Sequence, residues 1–523
     1  MNKTLKQLSD RFGIRPQNIS LLPDWLTLNA AHRRFFYALT VLYGIYILPI
    51  LLTDRPYQDD LTRSLRGVTG WTNDGRPFTE AIMKWFCGGF PVGDISPLPL
   101  ILSAVFLSYT LTLYVKRNLP DSDSLYPFLY VGLAVIANPF MLSTFSYQFD
   151  CVTMIISLCA AFIPYLLPDN CALWKTFSLS GLMCLLMLVT YQPCSGVYIC
   201  LCMLELLFMI HAASVDLTRL VTRACALCVS VGFYYFFVMN RYIPNSGWQP
   251  EAYRFAMGSD VSLFTAILQN YNSFAALVRE YTAGVPRILL LLAAAYGIGG
   301  MSVSLMTLIG KQTGIRRIWQ ILYVLCLPAL TLLGCLLPLL VLKPTFFTIS
   351  SHTLIALCGL GTWLGIMMSF LSQKIGRLML VFALPCILFS FTFSYTYGNA
   401  MKSQQQYEEY MACNIVHDIE TLNADGQYAY LTVEGDMPYA RETAMLCDKY
   451  PLYRDLVPVY INNSSYLGGA LLSHYMQEDL EFTSMTEEDA ALLATGQPVI
   501  KGTVYSCYLN ADKIIVYFHG EIF

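Results

Sequence analysis

Charge is what this sequence has least of. Only 13% of its 523 residues are Asp, Glu, Lys or Arg, while 56% are hydrophobic and the mean hydropathy is +0.51. Soluble proteins carry about a quarter charged residues, so a soluble enzyme, a disordered chain and a nucleic-acid binder are excluded. No G-x-x-x-x-G-K-[ST] loop, H-E-x-x-H or G-x-S-x-G motif occurs, and the six histidines are scattered. Nothing therefore points to an ATPase. No band of ionisable residues crosses the apolar segments, which counts against an ion-coupled transporter. Most of the 17 cysteines lie in apolar runs, where Cys acts as a small hydrophobe. Cys225 and Cys228 form C-x-x-C inside such a run, without partner ligands. Cys447 and Cys507 lie outside the runs and can pair if their compartment is oxidising.

What the chain does have is apolar runs of about twenty residues, the length needed to cross a bilayer. They fall at 35–53, 97–115, 126–145, 151–167, 176–191, 197–212, 224–240, 286–310, 321–342, 353–373 and 378–396. Alternate gaps are basic: Lys116 and Arg117, Lys175, Arg219 and Arg223, Lys311 with Arg316 and Arg317, then Lys374 and Arg377. Short basic loops stay in the cytoplasm. Eleven crossings then start inside and deliver the tail outside. The first run follows a polar leader and lacks a cleavage-site pattern, so it does not read as a signal peptide. Residues 1–34 read as a cytoplasmic leader ending in an interfacial helix near 22–34. The membrane part spans 35–396.

Two outer loops, 54–96 and 241–285, are too long to be simple connectors. Helical patterns occur at Phe78–Phe86 and Leu263–Tyr281. From Tyr397 onward, 6 basic residues face 18 acidic ones. This tail, 397–523, opens with a helical stretch at Ser403–Leu422 and continues with strand-like alternation at Gln427–Val433, Val499–Cys507 and Lys513–Phe518. The fold class is an α-helical polytopic membrane protein with a C-terminal α+β periplasmic domain. That domain reads as a lid on the outer loops or a docking platform.

The densest polar cluster follows the first run. It begins Asp54-Arg55-Pro56-Tyr57-Gln58-Asp59-Asp60, continues through Arg63 and Arg66, and ends Trp71-Thr72-Asn73-Asp74-Gly75-Arg76. Adjacent carboxylates repel unless cations offset them, and Arg63 and Arg66 are spaced to share a helical face with Asp60. Such a site can join a general base, or a carboxylate pair for a divalent metal at Asp59 and Asp60, to guanidinium groups suited to phosphate. Trp71 offers a flat face to a sugar ring; Asn73, Asp74 and Arg76 offer polar contacts. The short outer turns add Tyr147, Gln148 and Asp150, then Gln192. Asp150 can serve the site, cap the helix that follows, or both. Arg241, Trp248, Arg254, Lys343, Thr345 and His352 fall on the same side, where anchoring to headgroups is the usual role.

An inside N-terminus, one span, an outer loop with Y-Q-D-D, a following Arg-rich stretch and W-x-N-D-G-R together resemble the serotype-converting O-antigen glucosyltransferases, which are GT-C-type enzymes. The resemblance is specific over about 54–86 and at Tyr147–Asp150. It implies an inner-membrane enzyme that moves glucose from undecaprenyl phosphate to lipid-linked O-antigen on the periplasmic side. It also implies dependence on a donor synthase and a flippase, and no nucleotide sugar. The base then falls on Asp59 or Asp60; Arg63, Arg66 and Arg76 would meet the lipid phosphate. Trp71, Asn73, Asp74, Tyr147, Gln148, Asp150 and Gln192 would hold the glycan. Alternatives are another GT-C enzyme acting on lipid A or a different glycan, or a non-enzymatic flippase of lipid-linked sugars.

Overall fold

The computed structural model describes residues 23–119, 124–244, 261–309, 314–344, 351–462, 466–477 and 480–520. The leader up to residue 22, Lys311, and residues 245–260 with Trp248 and Arg254 lie outside this set, as does Thr345. Every apolar run falls on a helix. Among the described residues, however, nine helices rather than eleven are long and apolar enough to span a bilayer, or ten if one bent pair counts as a span.

The two exceptions have local causes. The run 126–145 breaks into Leu125–Ile136 and Phe140–Ser146, bent by 77°. Pro139 cannot donate a backbone hydrogen bond and its ring obstructs the preceding turn. Asn138 secures the corner: its Oδ1 accepts from the Phe140 amide at 3.3 Å, and its Nδ2 donates to the Leu354 carbonyl at 3.1 Å. The run 151–167 makes a short helix, Cys151–Phe162, that tightens to a 3-10 turn over Ile163–Leu166, where Pro164 intervenes. It still lies alongside the long helix Leu98–Asn118 and runs in the same direction. Cys151 meets Ser103 at one end, and at the other Arg117 donates to the Leu167 carbonyl and pairs with Asp169 at 2.7 Å.

The interfacial helix expected near 22–34 is reduced to one turn, Asp24–Leu26. Its backbone is pinned to Leu98–Asn118 by Tyr109 and Lys116, which donate to the Leu26 and Thr27 carbonyls. Asn29 then caps the first span, accepting from the His32 amide, so that helix starts at Ala30. The loop helices appear at Asp60–Arg66, Pro77–Phe86 and Leu263–Tyr281.

The last span and the expected helix at 403–422 are one continuous helix, Leu378–Leu422, of 45 residues. At 1.5 Å per residue it is about 68 Å long. Its first part lies in the membrane bundle, and its second part packs under a five-stranded sheet. The strands are β1 (Tyr430–Glu434), β2 (Glu481–Phe482), β3 (Ile500–Lys501), β4 (Tyr505–Asn510) and β5 (Lys513–Phe518), in the order β2-β1-β5-β4-β3. β1 runs parallel to β2 and β5, while β3, β4 and β5 are antiparallel. The expected single strand 499–507 is a hairpin, because the Gly502 amide turns back to the Tyr505 carbonyl at 2.9 Å.

All 17 cysteines are free thiols, and Cys447 and Cys507 are buried in separate hydrophobic clusters rather than paired. The cluster under the sheet also takes in Leu61, 5% exposed, with Leu65 packed against it. The helix carrying the acidic pair is thus wedged between the membrane bundle and the C-terminal domain.

Candidate active site

The first span ends at Asp54, whose left-handed backbone (φ 49°) turns the chain sharply. Arg55 then enters a buried pair with Glu408 of the long helix at 2.7 Å, and also donates to the Pro458 carbonyl at 2.8 Å. The Tyr460 ring lies under the guanidinium, 4.6 Å from its centroid. The Tyr460 hydroxyl donates to the Pro56 carbonyl at 2.6 Å and accepts from the Gln58 amide at 3.0 Å. Four polar contacts therefore fix the approach to Asp59. The acid helix ends at Gly67 (φ 65°), where a Cβ would come within 2.4 Å of the Pro91 side chain. The next turn carries Asp74 and Gly75 and is held from the bundle: Gln192 Nε2 donates to the Asp74 carbonyl, and the Tyr234 hydroxyl to the Gly75 carbonyl.

Four carboxylates and two guanidiniums meet here. Asp60 is fully buried; its Oδ1 accepts from Arg63 at 3.0 Å and its Oδ2 from the Gln148 amide at 2.5 Å. Asp59 is the open member, with 45% of its side chain exposed, one oxygen 3.4 Å from Arg63 and the other accepting from the Tyr466 hydroxyl. Asp150 is buried between Arg63 at 3.7 Å and Arg76 at 3.8 Å. It makes no side-chain cap bond to the helix it precedes, so its carboxylate serves the cluster. With every group ionised the cluster carries two more negative than positive charges. Burial accordingly pushes the Asp60 carboxyl up, Arg63 opposing and Asp150 adding. Burial also lifts Asp74 to about 6, against the pull of Arg76 and with a further push from Asp59.

Several expected roles change. Trp71 offers no face to a sugar: it is fully buried among Met83, Val92, Phe149 and Val152, and Arg63 covers its ring at 4.3 Å. Arg63 is enclosed by three carboxylates instead of facing a lipid phosphate. Arg66 is exposed and does not share a face with Asp60, because six residues at 100° each rotate to the far side of a helix. Tyr147 is buried, edge-on to Tyr57 and to His352. Gln148 Nε2 donates to Asp54 at 3.1 Å and Gln192 holds a turn, so both position the loop. Asn73 is exposed and Asp74 half-buried, which leaves these two and Asp59 at the mouth. The Asp59 and Asp60 oxygens converge on a guanidinium, the reverse of a cation site. Among the described residues no group of three or more His, Cys, Asp or Glu could hold a metal ion.

Glu408, Tyr460 and Tyr466 are absent from the sequence-based set. One signal exists for Glu408. Buried positions on its helix run Met401, Gln404, Glu408, Met411, Ile415, Ile419, so this carboxylate sits on the stripe that faces the core. Tyr191 and His352 also belong to the site: Arg76 stacks on Tyr191 at 4.6 Å, and Tyr191 lies 6.0 Å from the His352 ring.

The segment after His352 leads to an apolar cavity of about 380 Å³. Its walls are the bent pair around Pro139, the segment Tyr281–Tyr296, Leu357–Met368, and Ala383–Phe393 of the long helix; Tyr450 and Leu452 of the C-terminal domain close one end.

A polytopic bundle that holds an acid–arginine cluster and an apolar groove is the setting in which the comparisons with known proteins carry weight. The family described as "Glucosyl transferase GtrII" matches residues 48–362, more than half of the chain. The chain belongs to the GtrII glucosyl transferase family. It is a GT-C-like glycosyltransferase of the membrane, and the matched span contains the acid helix, the Asp74 turn, Asp150, Gln192 and His352. It is also 27% identical over 446 residues to an uncharacterized 55.3 kDa protein in the gtrB 5′ region of Salmonella phage P22, covering 83% of this chain and 88% of that one. No solved structure matches. The GtrII match stops short of Glu408 and the sheet domain.

Proposed function

We propose that this GtrII enzyme transfers glucose from undecaprenyl phosphate to a sugar of lipid-linked O-antigen at the periplasmic face of the inner membrane, converting serotype. A synthase and a flippase supply the donor. One observation carries the reading: a solvent-open carboxylate, Asp59, stands beside a buried guanidinium in a bundle that also holds an apolar groove sized for part of a lipid chain. The acid helix, the groove cap and the sheet domain share one end of the bundle, while Arg117, Arg219 and Asp169 gather at the other. Positive loops favour the cytoplasm, which supports an outside position for the acid end.

In this mechanism the polyprenyl chain lies in the groove with its phosphate toward Arg76, which stacks on Tyr191 near the His352 ring. The acceptor hydroxyl attacks the anomeric carbon and the bond to the phosphate oxygen breaks. The acceptor proton passes to Asp59, and undecaprenyl phosphate departs with its charge offset by Arg76. Asp60, Arg63 and Asp150 do not touch substrate; they hold the local charge and the geometry. Asn73 and Asp74 meet the acceptor at the mouth. Removing a general base typically lowers rates by ~10²–10⁴-fold, so Asp59→Asn should fall in that range in a reconstituted transfer assay with normal expression. Wild-type turnover in that variant would remove Asp59 as the base.

A further inference from the structure

Among the described residues, Tyr466 is the sheet-domain side chain that hydrogen-bonds the Asp59 carboxylate. Tyr466 begins the helix Tyr466–Tyr475 and donates its hydroxyl to Oδ1 of Asp59, leaving Oδ2 toward Arg63. The helix behind it is anchored independently, by Leu467, Leu471 and Leu472 in the sheet-domain core. Tyr466 itself is 61% exposed, so the domain does not depend on it for packing. A half-open hydroxyl aimed at the one open carboxylate of the cluster has no structural necessity.

We propose that Tyr466 is a positioning residue for acceptor activation, pinning the Asp59 carboxylate so that a free lone pair faces the incoming sugar hydroxyl. The proposal rests on Asp59 being the base. Desolvation of the hydroxyl tip, although the ring is largely exposed, and the charge of Asp59 hold the Tyr466 hydroxyl above its usual range, so it remains a donor at every working pH. A hydrogen bond to the charged form of a carboxyl favours that form. Around Asp59 the charged or titratable groups among the described residues include Asp60 and Arg63 on the acid helix, Asp74 and Arg76 on the next turn, Asp150, Tyr147, and His352. Four of these are acids or phenols that disfavour a further negative charge, and among the described residues Arg63 and Tyr466 directly contact the Asp59 oxygens in its support. Without the Tyr466 hydroxyl, the Asp59 carboxylate is free to turn from the acceptor, and its ionised form loses one of the two contacts that support it.

The test uses full-length enzyme in lipid nanodiscs, with glucosyl undecaprenyl phosphate and lipid-linked O-antigen. Tyr466→Phe should move the acidic limb of the kcat profile upward by about one pH unit, tenfold in proton affinity. It should leave KM for the donor and the melting temperature unchanged. An unmoved acidic limb overturns the proposal, and a lowered melting temperature with that limb in place assigns Tyr466 to structure alone. Asp59→Asn, run in parallel, separates the two claims. If it is inactive while Tyr466→Phe behaves as wild type, only the positioning role fails. If it is active, the base assignment itself fails.

Discussion

Replacing Asp74 with Asn should make the protein more stable and less active. The carboxyl rises from 3.8 to about 6 in the folded protein because it is partly desolvated and faces Asp59 and Asp150 as well as Arg76. The folded state therefore holds the Asp74 proton more tightly than the unfolded chain. Between these two values the unfolded state releases its proton first, so stability is fully present below about pH 4 and falls as pH rises through about 6. At 1.36 kcal/mol per unit, a shift of that size costs at most about 3 kcal/mol above pH 7. Asn imitates the protonated form at every pH and escapes the loss. Thermal unfolding in detergent should show Asp74→Asn melting higher than wild type at pH 8 and coinciding with it near pH 4. Glucosyl transfer should drop, because a carboxylate at the mouth is gone. Equal melting at pH 8, or a gap that persists at pH 4, would refute the electrostatic account.

The remaining expectations concern the parts around that carboxylate. Arg55→Ala or Glu408→Ala leaves one buried charge alone and should cost about 3–5 kcal/mol; Arg55→Met with Glu408→Leu should restore most of it in a thermal unfolding series. Ala293 lines the groove, so Ala293→Trp should raise KM for the polyprenyl donor with little change in KM for the acceptor. Cys413 is exposed on the long helix beyond the membrane. A membrane-impermeant maleimide should label it in intact spheroplasts, with Cys413→Ser as the control, and labelling only after lysis would reverse the orientation.

The helices were legible because a membrane span must carry its own hydrophobic signature along about twenty residues. The two spans that depart from it did so at Pro139 and Pro164, where backbone chemistry interrupts an unbroken apolar run. The acidic loop was legible for the complementary reason: charge placed beside a bilayer needs an explanation. Individual roles were not. Trp71 and Arg63 look available in the sequence because nothing local says they stack on each other under a second layer of carboxylates. Arg55 looks like one more loop charge because its partner lies 353 positions away. Whether a cation meets substrate or closes an internal pair is decided by such distant contacts, and a loop read on its own contains none of them.

The helix Leu378–Leu422 touches both substrates' territory. Near its start, Ala383, Ile387 and Phe393 line the groove; further on, Glu408 grips the base of the acid loop and Met411 to Ile419 carry the sheet. An unbroken rod cannot shift at one of these stations without the other registering it. In the proposed mechanism, filling the groove with donor and seating an acceptor at the acid loop are thus two loads on one beam. Whatever help the first gives the second must be returned in equal measure. Order of binding would then be written into the mechanics of a single element.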